Sequence, residues 1–205
     1  VTTGQGDSGD TDVIFLKGIG QKHQGLEIEG SMKLNDMIRL DGAVSFGKWK
    51  FDGDADGLYT EYAEDAPIQT AYTYTLDGLY VGDQPQTAYV LGTTLTPMDG
   101  LRLQGIFKMY DKNYADWSPD SRELSGDADR SQVWQAPAYN RLDLHASYKL
   151  PKVAGYNMTL TGHLFNALDA VYVQDAVDNS QYNGFGDKLH LAHNAEVFLG
   201  TPRYF

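Results

Sequence analysis

Several features that proteins commonly use are missing from this sequence of 205 residues, and each absence narrows its class. The chain has no cysteine, which excludes a disulfide framework and thiolate chemistry without identifying the compartment. Its 16 Lys and Arg against 28 Asp and Glu give a net charge of −12, so no nucleic-acid partner is expected, because phosphate binding needs a basic surface. No apolar run reaches the roughly 18 residues of a membrane helix, which excludes a spanning helix but not a membrane β-barrel.

Catalytic patterns are also missing. No serine lies in a recognisable nucleophile elbow, and no glycine-rich phosphate cradle follows a strand. We therefore predict that the chain is not an enzyme. No secretory signal precedes Val1, which predicts a mature chain or a fragment.

The most regular stretch of the sequence is a hairpin pattern at residues 139–172. Apolar and polar residues alternate along residues 139–150 and again along 156–165, and Pro151 and Gly155 bound a short turn between the two limbs. A period of two over about ten residues is typical of β-strands. The apolar face would be the core of a soluble sandwich, or it would meet lipid in a membrane barrel whose polar face lines the interior. The alternation alone does not decide between the two.

The lengths of the connections favour the barrel. Further strands are predicted at residues 11–34, as one strand or two with a kink near Gly18 and Gly20, and at three later places: 37–51, 87–96 and 101–111. Short connections at 34–36, 97–100 and 151–155 alternate with long ones near 52–86, 112–138 and 173–196. Every long loop therefore emerges on the same side of an up-and-down meander, as in outer-membrane barrels.

An acidic loop is the sharpest candidate for metal binding. Asp52, Asp54 and Asp56 fit the start of a calcium loop, in which alternate side chains converge on one ion. An EF-hand needs Glu at the twelfth position, where Ala63 stands, so only a looser calcium loop is predicted. A solvated acidic loop is the alternative. Residues 7–12 and 126–129 are similar but weaker patterns.

Two pairs of histidines are candidate ligands. His145 and His163 fall on the polar faces of the two hairpin strands, where they would contact a ligand or plug, or form hydrogen bonds within the wall. His190 and His193 lie three apart in the last long loop and are candidates for a transition metal or haem. No carboxylate or thiolate set completes that second site.

Four aromatic residues in the long loops are candidate binding residues. Tyr114, Trp117, Trp134 and Tyr182 would stack on a sugar, siderophore or haem if they face outward. The alternative is that they pack against their own loops.

Several stretches resemble the late strands of TonB-dependent outer-membrane receptors. They are HQGLEIEGSMKLNDMIRLDGAVSFGKWKF, LYVGDQPQTAYVLGTTLTPMDGLRLQGIFKMYDKNYADWSP and APAYNRLDLHASYKL. The spacing of Asn166, Asp169 and Tyr172 resembles the recurrent Asn-x-x-Asp-x-x-Tyr strand end of that family, and VFLGTPRYF resembles the start of its closing strand. The likeness is closest to receptors of Bacteroidetes-type bacteria.

The resemblance implies an all-β fold, namely an antiparallel up-and-down segment of a transmembrane β-barrel of about 22 strands. About six full strands are predicted here, and the plug domain and TonB-contacting segment of the family have no counterpart, so residues 1–205 are interpreted as a C-terminal barrel fragment. The implied partners are outer-membrane lipid, the rest of the barrel and plug, the TonB complex and a small-molecule or glycan ligand.

The implied function is TonB-dependent uptake of a scarce nutrient at the outer membrane of a Gram-negative bacterium. The nutrient would be a ferric siderophore, haem, a corrinoid or a glycan. One alternative is a soluble or surface-attached β-sandwich that binds carbohydrate with calcium, and another is a passive porin or adhesin barrel.

Overall fold

The computed structural model describes residues 2–5, 11–62, 66–122, 129–152, 154–180 and 189–205. In this part of the chain the strands are β1 (Thr2–Gln5), β2 (Thr11–Lys17), β3 (Gln21–Lys33), β4 (Ile38–Phe51), β5 (Ala55–Tyr62), β6 (Pro67–Tyr74), β7 (Thr87–Met98), β8 (Leu101–Asp111), β9 (Asn113–Tyr114), β10 (Gln135–Ala136), β11 (Tyr139–Lys149), β12 (Thr159–Leu164), β13 (Val173–Val177) and β14 (Glu196–Leu199). Single 3₁₀ turns lie at Pro119–Ser121 and Ala192–Asn194. Over the described residues, the structure has no helix with the length and apolar character needed to cross a membrane.

Six strands form one antiparallel sheet in the order β12-β11-β8-β7-β4-β3. Each of them pairs with the next strand of this sheet along the chain, so the predicted up-and-down meander is confirmed. Its tight turns follow local chemistry. The Asn35 side chain accepts hydrogen bonds from the backbone N–H groups of Met37 and Ile38, and Gly100 turns with φ +82°. Within the described residues β3 and β12 are the edges of an open sheet.

The predicted kink between residues 11 and 34 is a complete break between β2 and β3. Gly18 adopts φ +76°, a conformation that L side chains rarely take, and the strand ends there. Consequently β2 leaves the six-stranded sheet and joins a second sheet of order β1-β2-β5-β6.

One face of the six-stranded sheet carries exposed apolar side chains. The cross-strand register brings alternate residues of all six strands to this face, and its larger side chains are between 37% and 65% exposed: Leu26, Ile28, Met32, Phe46, Tyr89, Leu91, Leu103, Phe107, Leu144 and Leu160. A soluble sandwich would bury such a face beneath a second sheet. Exposure of this whole face is instead the pattern of a barrel wall.

The long connections contain more strand than the sequence analysis predicts. Residues 52–86 were expected to be a loop, but β5 and β6 pair there as a hairpin, and β5 also pairs with β2. The loop predicted at 112–138 contains the short β9–β10 pair, and β13 pairs with β14 across the connection predicted at 173–196. The second hairpin limb is also shorter than predicted, because only Thr159–Leu164 forms a strand.

The buried apolar core lies among these long connections and not beneath the six-stranded sheet. It consists of Ile14, Phe51, Ala55, Tyr74, Leu76, Leu79 and Val133, contributed by β2, the end of β4, β5, β6 and two loop segments. Burying each large side chain contributes roughly 1.5–3 kcal/mol. The connections on the long-loop side are therefore a packed structure in their own right.

Candidate functional site: the polar face and its loops

The register of the six-stranded sheet aligns polar side chains into rows across one face. One row runs through Arg39, Thr94, Gln104, His145 and His163, which are direct cross-strand neighbours on five successive strands. Because side chains alternate along each strand, this row lies opposite the exposed apolar face. The structure thus places both predicted hairpin histidines on the polar face.

The two histidines of this row are in direct contact. His145 Nδ1 and His163 Nδ1 lie 2.8 Å apart, and the ring centroids are 5.0 Å apart. In the neutral pair, the Nδ1–H of one ring donates to the Nδ1 of the other. Phe165 packs against both rings, with centroid distances of 5.5 and 6.0 Å.

An open cavity of about 350 Å³ adjoins the histidine pair. Arg102, Gln104 and Thr161 line it together with the two histidines. With Ser147, which also lines it, the cavity offers a guanidinium, an amide, two hydroxyls and two imidazoles to a bound molecule. This is polar ligand-binding chemistry.

A buried carboxylate organises the next part of the polar face. Asp143 is only 1% exposed, and it accepts hydrogen bonds from Lys108 Nζ at 2.9 Å and from the backbone N–H of Asn166 at 2.9 Å. Arg141 Nη2 lies 3.5 Å from the same carboxylate, and Arg141 Nη1 donates to the hydroxyl of Tyr172 at 2.9 Å. A buried charge needs such partners to be tolerated, so this network is structural.

The Asn-x-x-Asp-x-x-Tyr motif ties the end of β12 to the last residues of the chain. Asn166 is buried with φ +47°, and its side chain donates to the carbonyl oxygens of Ala170 at 2.9 Å and Thr201 at 3.2 Å. The Asp169 carboxylate accepts the backbone N–H of Arg203 at 3.1 Å.

The tyrosine of the motif adds to these contacts with the last residues of the chain. The ring of Tyr172 stacks on Tyr139 at a centroid distance of 4.3 Å and is 5% exposed. Gly200 lies so close to Tyr172 that a Cβ atom there would overlap the tyrosine ring. The motif therefore acts by packing and hydrogen bonding. It carries no information about which ligand is bound.

A buried ionic cluster in the long connections has no precedent in the sequence analysis. We call it the clasp, and it consists of Arg122, Asp129, Asp178 and His190. Arg122 and Asp178 are fully buried, with 3.5 Å between Nη2 and Oδ2, and Arg122 Nη1 donates to the carbonyl of Ser131 at 2.7 Å. His190 lies between two carboxylates, with Nδ1 2.5 Å from Asp178 and Nε2 2.5 Å from Asp129.

The clasp favours the doubly protonated form of its histidine. The hydrogen bond with Asp178 and that with Asp129 raise the pKa of His190, although burial and the positive charge of Arg122 oppose them. The cluster joins the connection that follows β8 to the one that follows β12. Because carboxylates occupy both ring nitrogens, the prediction that His190 binds a metal or haem together with His193 is not supported.

In the predicted calcium loop, the Asp54 carboxylate binds backbone N–H groups and an arginine of neighbouring loops. The Asp54 carboxylate accepts the backbone N–H groups of Leu76 and Asp77, both at 3.0 Å. It also receives two hydrogen bonds from Arg130, at 3.1 and 2.7 Å, and these lower the pKa of Asp54 to about 2. Asp54 thus clamps three loop segments together.

The other two carboxylates of that loop do not converge on Asp54. Asp56 accepts a hydrogen bond from the hydroxyl of Thr73 at 3.1 Å, and Asp52 is exposed. Over the described residues, no three His, Cys, Asp or Glu side chains are grouped to hold a metal ion. Calcium binding at Asp52, Asp54 and Asp56 stays a prediction that this geometry does not favour.

A second acidic group is brought together only by the fold. Burial, and repulsion by Asp83 and Asp175, raise the pKa of Asp116 to about 7. Gly82 lies against this group, since a Cβ atom there would be 2.6 Å from Asp116 Oδ1. The three carboxylates come from three separate connections, so no local sequence signal could have grouped them.

The loop aromatics pack against the loops. Tyr114 stacks on Tyr80 with a centroid distance of 4.2 Å, and burial raises the pKa of Tyr114 to about 12. Trp117 packs against Tyr74 at 5.7 Å, next to the apolar core. Trp134 is half-buried beside the clasp, where its backbone N–H donates to Asp178. Tyr114 and Trp117 therefore make the contacts of the self-packing alternative, and ligand binding by Tyr114, Trp117 and Trp134 stays a prediction. Tyr182 lies outside the described residues.

Comparison with known proteins accounts for the two-faced sheet. The family model described as TonB dependent receptor-like, beta-barrel matches residues 1–167. The chain belongs to this family. No curated protein and no solved structure gives a significant match to it.

Membership of the TonB-dependent receptor family assigns the two faces of the sheet. In a barrel of this type the apolar face meets lipid and the polar face lines the interior. The six-stranded sheet is therefore one part of a barrel wall that the described residues do not close. The soluble-sandwich alternative is wrong for this reason. The inclusion of residues 168–205 in the same domain stays a prediction.

Proposed function

We propose that this chain forms part of the wall of an outer-membrane receptor that imports a scarce nutrient in a TonB-dependent manner. The observation that carries the proposal is the two-faced sheet, exposed and apolar on one side and lined with Arg, Gln, Asp and His on the other. Family membership agrees with it, because receptors of this family are outer-membrane transporters.

In this proposal the polar face contributes binding groups to the transport path. Arg102, Gln104 and the histidine pair would contact the cargo, while the clasp and the Asp54–Arg130 pair hold the loops above the path. A plug domain and a TonB complex, both supplied by the rest of the system, would gate and energise passage. The chain itself would carry out no catalysis.

The cargo class is a further part of the proposal. A ferric siderophore, haem, a corrinoid or a glycan would each match a polar, partly cationic lining. The Gram-negative outer membrane is the proposed location, and the Bacteroidetes-type origin also stays a prediction.

The orientation of the sheet can be tested with two neighbouring residues of β12. These 205 residues contain no cysteine, so single substitutions Thr161→Cys and Leu160→Cys each introduce one thiol here, on opposite faces of the sheet, and labelling is measured on the peptide that carries it. In cells carrying the whole receptor, a water-soluble maleimide should label the Thr161→Cys protein. It should spare the Leu160→Cys protein, which a lipid-soluble reagent should modify instead. Equal labelling of both by the water-soluble reagent would overturn the proposed orientation.

Transport is tested by deleting the gene for the whole receptor. Growth is measured with each of the four nutrient classes as the limiting source, with and without a functional TonB. Loss of growth on one class in both deletion strains, restored by the intact gene, is the expected result. Uptake that needs the receptor but persists without TonB would indicate a passive pore and refute the proposal.

A further inference from the structure

We propose that His145 and His163 form a two-histidine site for a divalent late transition-metal ion, Cu²⁺ or Ni²⁺, on the polar face of the sheet. The inference rests on the geometry of the pair and is independent of what the receptor imports.

The backbone holds the two imidazoles in position. His145 and His163 are direct cross-strand partners, within a ladder whose pairing continues without a shift from Leu144–Leu164 to Lys149–Thr159. On its other side β11 is paired with β8 over ten residues, so the strand that carries His145 is fixed on both edges. Phe165 packs against both rings. The backbone therefore fixes the positions of the two histidines before any ion arrives, and only the rings have to turn.

The distance between the ring nitrogens selects the geometry of the ion. The two Nδ1 atoms are 2.8 Å apart, and metal–imidazole bonds are about 2.0–2.1 Å long. An ion bound to both would therefore have an N–metal–N angle of about 85–90°, which is the cis arrangement of a square-planar or tetragonal site. Tetrahedral Zn²⁺ would need a separation of about 3.3 Å, so the rings would have to move apart by about 0.5 Å. The ring centroids are 5.0 Å apart, so the two Nδ1 atoms face each other nearly head-on, and each ring must turn before both lone pairs meet one ion. After that turn, the short separation favours the 90° angle of Cu²⁺ and Ni²⁺ over the wider angle of Zn²⁺.

The remaining coordination positions face the open cavity of about 350 Å³. Gln104 and Thr161 line it and offer neutral oxygens, and water can fill the rest. Over the described residues no third His, Cys, Asp or Glu completes a closed cage. Arg102 lines the same cavity, and its positive charge opposes a cation while attracting an anionic co-ligand. We therefore expect an open site of moderate affinity that also accepts an exchangeable anion.

The competing explanation is a simple hydrogen bond between two wall histidines. That explanation predicts no metal dependence, whereas the proposed site requires both rings at once. Loss of either ring should then be as damaging as loss of both, because groups that act as one unit are not additive.

The test uses the whole receptor purified in detergent and titrated with Cu²⁺ and, separately, Ni²⁺. His145→Asn and His163→Asn should each weaken the strongest binding event by at least about tenfold, and the double variant should be no weaker than either one. The electron paramagnetic resonance spectrum of bound Cu²⁺ should show two equatorial nitrogens in the unaltered receptor and fewer in each variant. His23→Asn is the matched control, because His23 is an exposed strand histidine of the same sheet whose ring contacts Gln21 and stacks on Trp49.

A second measurement needs no substitution. Diethylpyrocarbonate modifies accessible imidazoles, and Cu²⁺ should protect His145 and His163 but not His23 when the modified peptides are measured by mass spectrometry. Binding that is unchanged in both variants, or protection that fails to distinguish the pair from His23, would overturn the proposal.

Discussion

The substitution Arg122→Met tests whether the clasp holds the long connections together. Arg122 and Asp178 are both fully buried, so removal of the guanidinium leaves a buried carboxylate with His190 as its remaining cationic partner. Breaking a buried pair in this way costs about 3–5 kcal/mol. Because His190 still offsets part of the charge, we expect a value near the lower limit, about 3 kcal/mol.

The matched control is Arg130→Met. Arg130 also pairs with an aspartate, Asp54, but its side chain is 52% exposed. Water screens the charges of an exposed pair, so it contributes much less than a buried pair. The two variants remove the same group from the same side of the molecule, so burial is the main difference between them.

Hydrogen exchange measured by mass spectrometry on the purified receptor reports local opening of the segments 112–122 and 173–180. A loss of 3 kcal/mol corresponds to exchange that is about 150-fold faster, and the change in the control should be much smaller. Adding Asp178→Asn to Arg122→Met should recover part of the loss, because no unpaired charge is then buried. Equal exchange in Arg122→Met and Arg130→Met would refute the reasoning.

Three further predictions concern the close packing and the titration of the structure. Gly200→Ala should destabilise the C-terminal segment by a few kcal/mol, since its Cβ would meet the Tyr172 ring. Gly162→Ala is the control and should be nearly neutral, because no atom lies within 4 Å of a Cβ at that position. Heat-dependent migration on SDS gels measures the stability of both variants. Because the pKa of His190 is raised, its contribution is complete below its ordinary value of 6.5 and is lost as pH rises through the raised value. His190→Gln should therefore flatten the pH dependence of loop exchange above pH 6.5. Asp116 has a pKa of about 7, so it lowers the stability of its loop once it ionises. Asp116→Asn should therefore stabilise that loop by about 2–4 kcal/mol at pH 8 and have little effect below pH 4. Hydrogen exchange of the loop, measured at the two pH values, tests this.

Local patterns were enough to predict the sheet and its two faces. Along β11, residues such as Leu144 and His145 alternate in the sequence and lie on opposite faces in the structure, because successive side chains of a strand point to opposite sides. The tight turns were equally readable, since Asn35 and Gly100 supply the hydrogen bonds and the backbone conformation that they need.

Pairing between distant segments was not predictable in the same way. The sequence of residues 52–86 predicts a loop, because β5 and β6 contain polar residues at many positions. These segments form strands through pairing with each other and with β2. The strand propensity of such segments depends on what packs against them. For the same reason Tyr114 and Trp117 were open to two interpretations until the loop core was seen.

The sequence by itself therefore determined the strand order of the six-stranded sheet, its apolar and polar faces and the position of His145 and His163 on the polar face. Only the tertiary structure decided that these two rings touch, that Arg122 and His190 share a buried cluster with two aspartates, and that Asp54 is held by Arg130. Alternation is a local property, which each residue inherits from its neighbours along the strand. Burial and charge pairing depend on residues far apart in the chain, whose meeting is set by register and loop packing.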